Sequence, residues 1–161
     1  MVTNEKGVRM QESMAIMRHF AIAKGYYATE PMQAWAIDAC FARYNDWLNA
    51  SSGPMHFAPE GQKEAGEKFA MMFEKHLANI EAMMEKHKFN WCCSMKAPTM
   101  ADFGISSIYY RYACNDHEGN IHRDAFKMCF DKHPKIVAMI EKMSESKGFA
   151  MHLEKRPKFA A

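Results

Sequence analysis

The stretch from Gln62 to Lys88 constrains the fold most. Phe69, Phe73, His76, Leu77, Ile80 and Met84 recur there at intervals of three and four residues. That spacing puts them on one side of an α-helix, whereas a strand would send alternate residues to opposite faces. Glu81, Glu85, Lys75, Lys86 and Lys88 fall mostly on other faces. A long helix with one apolar face is stable only against partners that cover that face, so the chain needs a bundle.

The rest of the sequence supplies such partners. Ser13 reads as an N-cap and Gly25 as the residue just past a helix end, with Ile16, Phe20 and Ala23 at helical spacing between them. A second helix is expected from about Glu30 to Ala50, capped by Thr29 and with Pro31 in its first turn. It carries two apolar stripes, Ile37, Phe41, Tyr44 and Leu48 on one side and Met32, Trp35 and Ala39 on another, which predicts cover on both. Ser51 to Pro59 holds Ser-Ser-Gly-Pro and a second proline and reads as a loop. After Pro98, Thr99-Met100-Ala101-Asp102 is a capping signature: the Thr hydroxyl serves the first-turn amides and the Asp carboxylate reaches back to the Thr amide. The helix it starts carries Ile105, Ile108 and Tyr112. Asn115 to Asn120 is a polar loop, followed by short helices at about 122–131 and 135–147, the second with Ile136, Ile140 and Met143 and ended by Gly148. The last dozen residues lie on the bundle through Phe149, Met151 and Leu153, or fray. Outside the first ten residues there is no convincing strand pattern, and no repeat or low-complexity tract is present. Six helices with short connections define an all-α bundle.

Composition narrows the function. A length of 161 residues fits one domain, or one domain plus a fragment of another, and 48% hydrophobic with 25% charged residues is ordinary for an ordered globular fold. With 21 basic against 19 acidic residues, the formal charge of +2 argues against a nucleic-acid or anionic-membrane surface. No apolar run has the length to cross a bilayer, and Met1 to Met10 lacks the apolar core of a secretory signal. Five irregularly spaced cysteines read as free thiols in a reducing compartment, the cytoplasm.

Three local patterns invite chemistry. Ser13 at a helix start offers free amides, the positive end of the helix dipole and a hydroxyl to a carboxylate; the plain alternative is an N-cap beside a first-turn acid, Glu12. Cys92 and Cys93 are vicinal and could be redox-active, but beside Trp91 they read first as buried apolar side chains. Cys114, His117, His122 and Cys129 are zinc-ligand types, yet the later gaps match no common zinc module. They are read as incidental, with no metal expected, and His76 as a core or interface histidine.

Three segments, in this order on an all-helical chain, resemble the glutathione transferase family. They are Gly7-Val8-Arg9-Met10-Gln11-Glu12-Ser13-Met14-Ala15-Ile16-Met17-Arg18, then Thr99-Met100-Ala101-Asp102-Phe103, and last Phe130-Asp131-Lys132-His133-Pro134-Lys135-Ile136 followed by a helix and Lys155-Arg156-Pro157. The resemblance implies that residues 1–25 are the last strand and helix of a thioredoxin-like domain and that residues 26–161 form the family's helical C-terminal bundle. It also exposes departures. The first strand with the catalytic Tyr, Ser or Cys is missing, as is the cis-proline segment that pairs with glutathione. Met95 stands where the family tends to have a glycine, so the local turn there is expected to differ.

By the same resemblance, Gln11, Glu12 and Ser13 hold the γ-glutamyl end of glutathione. Asp46 reaches the γ-glutamyl ammonium bound by a neighbouring subunit, and Asp38 is a recurrent family position. Asn49 and Gly53, at helical spacing from Asp46, border the pocket of a second, hydrophobic substrate, while Tyr44 and Trp47 pack in the core or a dimer face. For the aspartates the plain alternative is a solvated helix carboxylate. No residue here replaces the missing thiolate activator. Two functions follow. The chain is the C-terminal part of a homodimeric enzyme that conjugates glutathione, its substrate, to electrophiles, and it is inactive alone. Alternatively it is a non-catalytic assembly subunit that docks in a larger complex through apolar residues such as Ile16, Phe20 and Trp35, where the missing part would have lain.

Overall fold

A computed structural model describes residues 2–3, 7–56 and 60–156, without the side chains of Val2, Trp47, Leu48, Ala50, Ser51 and Ser52. Its elements are β1 (Val2–Thr3), β2 (Arg9–Met10), α1 (Ser13–Lys24), α2 (Pro31–His56), α3 (Gln62–His87), α4 (Met100–Ile108), a π-helical turn (Tyr109–Ala113), α5 (Arg123–Asp131), α6 (Pro134–Ser144) and α7 (Lys147–Lys155). The two strands pair antiparallel, with Val2 opposite Met10 and Thr3 opposite Arg9. The other regular elements among the described residues are helical, apart from an isolated antiparallel bridge between Trp91 and Ser94.

The stripe on α3 is the spine of the core. Phe69, Phe73, His76, Leu77, Ile80 and Met84 are all buried. Phe69 meets Phe126 edge-on at 5.4 Å, and Phe73 packs on Phe130 at 5.8 Å, which binds α5 to α3. On the opposite side α2 packs on α3 and α4. The close approach of α2 and α4 depends on Gly104, where an added Cβ would stand 3.1 Å from the Phe41 ring. Ile105, Ile108 and Tyr112 are buried along the central helix. Tyr112 stacks on Phe126 at 4.5 Å.

The capping signature forms as read. Asp102 Oδ2 accepts both the Thr99 N–H (2.7 Å) and the Thr99 hydroxyl (2.8 Å), and the Thr99 side chain in turn serves the Asp102 backbone. The Trp91 and Asn90 amides both bond Ser94 O, and the Asn90 side chain donates to Met95 O at 2.8 Å. Met95 is absent from the residues with a left-handed φ.

Several expectations are corrected. Helix α2 does not end at residue 50. It continues to His56 through Gly53 and Pro54, because Met55 is inserted into the core at 2% exposure and His56 reaches Tyr112. Proline costs that helix one backbone bond, which the buried Met55 offsets. Residues 57–59 of the expected loop lie outside the described residues, as does Pro157. The cap of α2 is Glu30 rather than Thr29, its carboxylate accepting the Met32 and Gln33 amides at 2.9 and 2.6 Å. Its second stripe is not covered: Met32 and Trp35 are 66% and 65% exposed. Helix α6 stops at Ser144, and extended backbone at Ser146 starts a seventh helix that contains Gly148. Phe149 packs on Phe103 and Tyr110, at 6.0 and 5.8 Å, whereas Met151 is exposed.

Candidate functional site

The amino-terminal end of α1 carries the first group of candidate residues. Ser13 is the first helical residue and not the cap. The cap position belongs to Glu12, whose φ of 67° and ψ of 103° lie in left-handed space that a residue with a Cβ adopts only under strain. No side chain caps this helix start, and Glu12 O receives the Ile16 amide at 3.0 Å. Gln11, Glu12 and Ser13 are all exposed. The arrangement therefore presents unsatisfied first-turn amides, a hydroxyl and a carboxylate to solvent, the donor and acceptor set that a zwitterion with adjacent carboxylate and ammonium groups requires.

A buttress fixes α1 against α2. The Arg18 guanidinium bonds Asp38 Oδ1 through Nε (3.1 Å) and Nη2 (3.0 Å), and the Tyr27 hydroxyl donates to Asp38 Oδ2 at 2.7 Å. The hydrogen bond to Asp38 holds Arg18 above its ordinary pKa, and burial followed by the bond to Asp38 raises Tyr27. Asp38 is thus an internal clamp between two helices, and not merely a solvated carboxylate.

Asp46 lies two turns further along α2 and is exposed, as is Asn49. Because α2 continues past residue 50, Asp46, Asn49 and Gly53 fall on one helical face, and His56 extends that row from Asn49 and Gly53. The row leads to a polar group that the sequence reading missed. His56 Nε2 is 3.1 Å from the Tyr112 hydroxyl and 3.5 Å from Arg111 Nη2, and the Tyr44 hydroxyl is 3.0 Å from Ser107 Oγ. Burial, with help from Arg111 and His122, lowers the His56 pKa, and burial raises Tyr112. The π-helical turn, closed by the bond from Cys114 N to Tyr109 O at 3.0 Å, sets Arg111 and Tyr112 here. Two features hid this group: Ser-Ser-Gly-Pro reads as a helix stop, and a π-turn leaves no periodic trace.

The remaining candidates take structural places. Thr99 and Asp102 are buried and occupied in the capping box. Cys92, Cys93 and Cys129 are buried, and Cys114 is exposed. Among the described residues no three His, Cys, Asp or Glu side chains converge as metal ligands, and no helix is long and apolar enough to cross a membrane.

No protein-family model matches the sequence, and no curated protein does. Solved structures do. Na-GST-3, described as a monomeric glutathione S-transferase from the hookworm Necator americanus, superposes with a TM-score of 0.79 at 20% identity, over 97% of this chain and 73% of that one. The glutathione S-transferase from Ascaris lumbricoides gives 0.72 at 17% identity, over 98% and 74%. The glutathione S-transferase Blo t 8 gives 0.73 at 19%, over 94% and 68%. The chain has a glutathione-transferase-like fold, and at these identities the likeness establishes the fold alone.

Proposed function

We propose that this chain is the helical part of a glutathione-transferase-type protein that takes the γ-glutamyl end of glutathione at the start of α1. The observation that carries the reading is the strained Glu12 directly before an uncapped helix whose first residue is Ser13. Backbone strain of this kind clusters at active sites and ligand clamps. In this reading the Ser13 hydroxyl and first-turn amides hold the γ-glutamyl carboxylate, while Gln11 and Glu12 take the neighbouring ammonium. Asp46 of a second copy completes the ammonium site in a homodimer. Asn49 and Gly53 border the pocket of a hydrophobic electrophile, beside the His56 and Tyr112 pair. Conjugation needs a stabilised thiolate, and no described residue stands at this site to supply it, so the 161-residue chain binds without turnover.

Calorimetric titration of glutathione into the purified chain tests this, with Ser13→Ala as control. Measurable heat that is lost in the variant supports the site. Equal binding by both, or turnover of a model electrophile by the chain alone, overturns it.

One observation favours the assembly reading beside it. Helix α1 buries only Ala21 and leaves Met17, Phe20 and Ile22 in solvent, with Val8 exposed on the approach from the strands. Such an apolar patch suits a protein interface. The intact mass of the protein from its native source separates the two. A polypeptide half again as heavy as 18.6 kDa favours the enzyme, and a matching mass favours the assembly subunit.

A further inference from the structure

We propose that the exposed methionines of two clefts, Met71 with Met128 and Met32 with Met95, are sites of reversible sulfoxidation by hydroperoxides. The first cleft, of about 390 Å³, lies between α3 and α5, with Met71 on one helix and Met128 on the other. The second, of about 580 Å³, lies between the first turns of α2, which carry Met32, and the segment after α3, which carries Met95. All four side chains are between 56% and 66% exposed, so a small peroxide meets them without any opening of the fold.

Each cleft also has a cysteine in its lining, Cys129 in the first and Cys93 in the second. A thiol reacts with peroxide as its thiolate and only where it is reached. Cys129 is 3% exposed and Cys93 0%. Burial, followed by the Glu74 charge, pushes the Cys129 pKa up to about 12, so that at pH 7 about one thiol in 10⁵ is ionised. A thioether has no proton to lose, and its polarizable sulfur keeps a nucleophilic lone pair at any pH. The thiols of both clefts are therefore silenced, and the thioethers are left as the reactive sulfurs. Met55, Met100 and Met139 have the same chemistry but are at most 4% exposed, which makes them internal controls.

The step balances. The thioether sulfur attacks one oxygen of the peroxide, and the S–O bond forms as the O–O bond breaks. The proton on the transferred oxygen passes to the departing alkoxide, which leaves as an alcohol (water from hydrogen peroxide). Sulfur is oxidised by two electrons, the peroxide is reduced by two, and no net proton is exchanged. The product is a dipolar side chain with a strong acceptor oxygen where an apolar one had been. Because the four side chains stand mostly in solvent, the change turns two apolar cleft walls polar and leaves the core intact. It is also placed where methionine sulfoxide reductases, one for each epimer, can reverse it.

Full-length chain is treated with hydrogen peroxide at neutral pH, quenched, alkylated under denaturing conditions and mapped by peptide mass. The expected result is one added oxygen, about 16 Da, on each of Met32, Met71, Met95 and Met128, at rates at least about tenfold above those of Met55, Met100 and Met139. Cys93 and Cys129 should remain open to alkylation. The oxidised chain should keep its melting point, and methionine sulfoxide reductases A and B with dithiothreitol should remove the added oxygens without unfolding it. A double variant, Met71→Leu with Met128→Leu, should take up two oxygens fewer and leave Cys129 as inert as before. Oxidation of Cys129 or Cys93 ahead of the cleft methionines, equal rates at the buried methionines, a lowered melting point, or sulfoxides that the reductases leave in place overturns the proposal.

Discussion

The carboxylate of Asp102 accepts the backbone amide of Cys92, ten residues earlier in the chain, through Oδ1 at 2.8 Å. Its other oxygen holds Thr99, so one fully buried side chain fastens the 91–94 turn to the start of the central helix. Asp102→Ala leaves two amides and a hydroxyl without their acceptor, and the expected loss is about 3–4 kcal/mol by urea unfolding. Asp102→Asn keeps one acceptor oxygen but turns an NH₂ toward donors, and should lose about half as much at neutral pH. Burial raises the Asp102 pKa, and the bonds from Cys92 and Thr99 only partly oppose it. The folded state therefore binds this proton more tightly than the unfolded state. Stability from this group declines as pH rises from the ordinary carboxylate pKa, 3.8, through the raised folded value. The gap between wild type and Asp102→Asn should accordingly be wider at pH 3.5 than at pH 7, and a constant gap contradicts this account.

His76 shows the opposite sign. It is buried on the core face of α3, where burial and then the Arg43 charge lower its pKa from 6.5 to about 4. The unfolded chain binds the proton more readily, so the neutral imidazole contributes its full stability above pH 6.5 and loses it as pH falls toward 4. The expected decline is about 3 kcal/mol across that window. His76→Gln should flatten it. Stability measured at pH 7 and pH 4.5 in both proteins checks the claim, and equal slopes would refute it.

Two glycines on neighbouring helices should respond oppositely to alanine. A Cβ on Gly66 would stand 2.1 Å from His122 Nδ1, and His122, at 1% exposure, is enclosed by α3, Tyr112 and His56. Gly66→Ala must displace that ring and should cost about 2–3 kcal/mol. Gly53 lies in the extension of α2 with nothing within 4 Å of its would-be Cβ. Gly53→Ala should gain about 0.5–1 kcal/mol from helix propensity. Chemical denaturation of the two variants decides it, since a loop at residue 53 would show no such gain.

Most of the fold was legible because it is written in period. The α3 stripe, the capping box at Thr99 and Asp102, and the span from Ser13 to Gly25 are local patterns whose physical causes lie within a few residues. The errors occur where a distant partner overrides local preference. Helix α2 runs through Gly53 and Pro54 because Met55 and His56 have buried partners that no local rule reveals. Trp35 and Met32 were expected to be covered because their spacing is apolar, but spacing says nothing of whether a partner exists. The candidate site was legible in part. Glu12 and Ser13 are marked by a helix start, but the left-handed backbone at Glu12 has no signature in a glutamate. The His56, Arg111 and Tyr112 group is assembled by a π-turn and was invisible.

That backbone at Glu12 gives the sharpest test of the proposed site. A φ of 67° costs a residue with a Cβ on the order of 1 kcal/mol relative to glycine. Glu12→Gly removes the Cβ and the carboxylate together. The free chain should gain up to about 0.5 kcal/mol of stability, after the entropy glycine adds to the unfolded state is subtracted. If the carboxylate meets the γ-glutamyl ammonium, the same variant should bind glutathione about tenfold more weakly, the loss of one exposed charge-assisted contact. Glu12→Gln separates the two effects: it keeps the strain and leaves stability near the wild type, yet should weaken binding similarly. Unfolding curves and glutathione titrations on the three proteins therefore make a two-way comparison. Higher stability with unchanged affinity in Glu12→Gly would mean that the strain at α1 serves something other than the ligand.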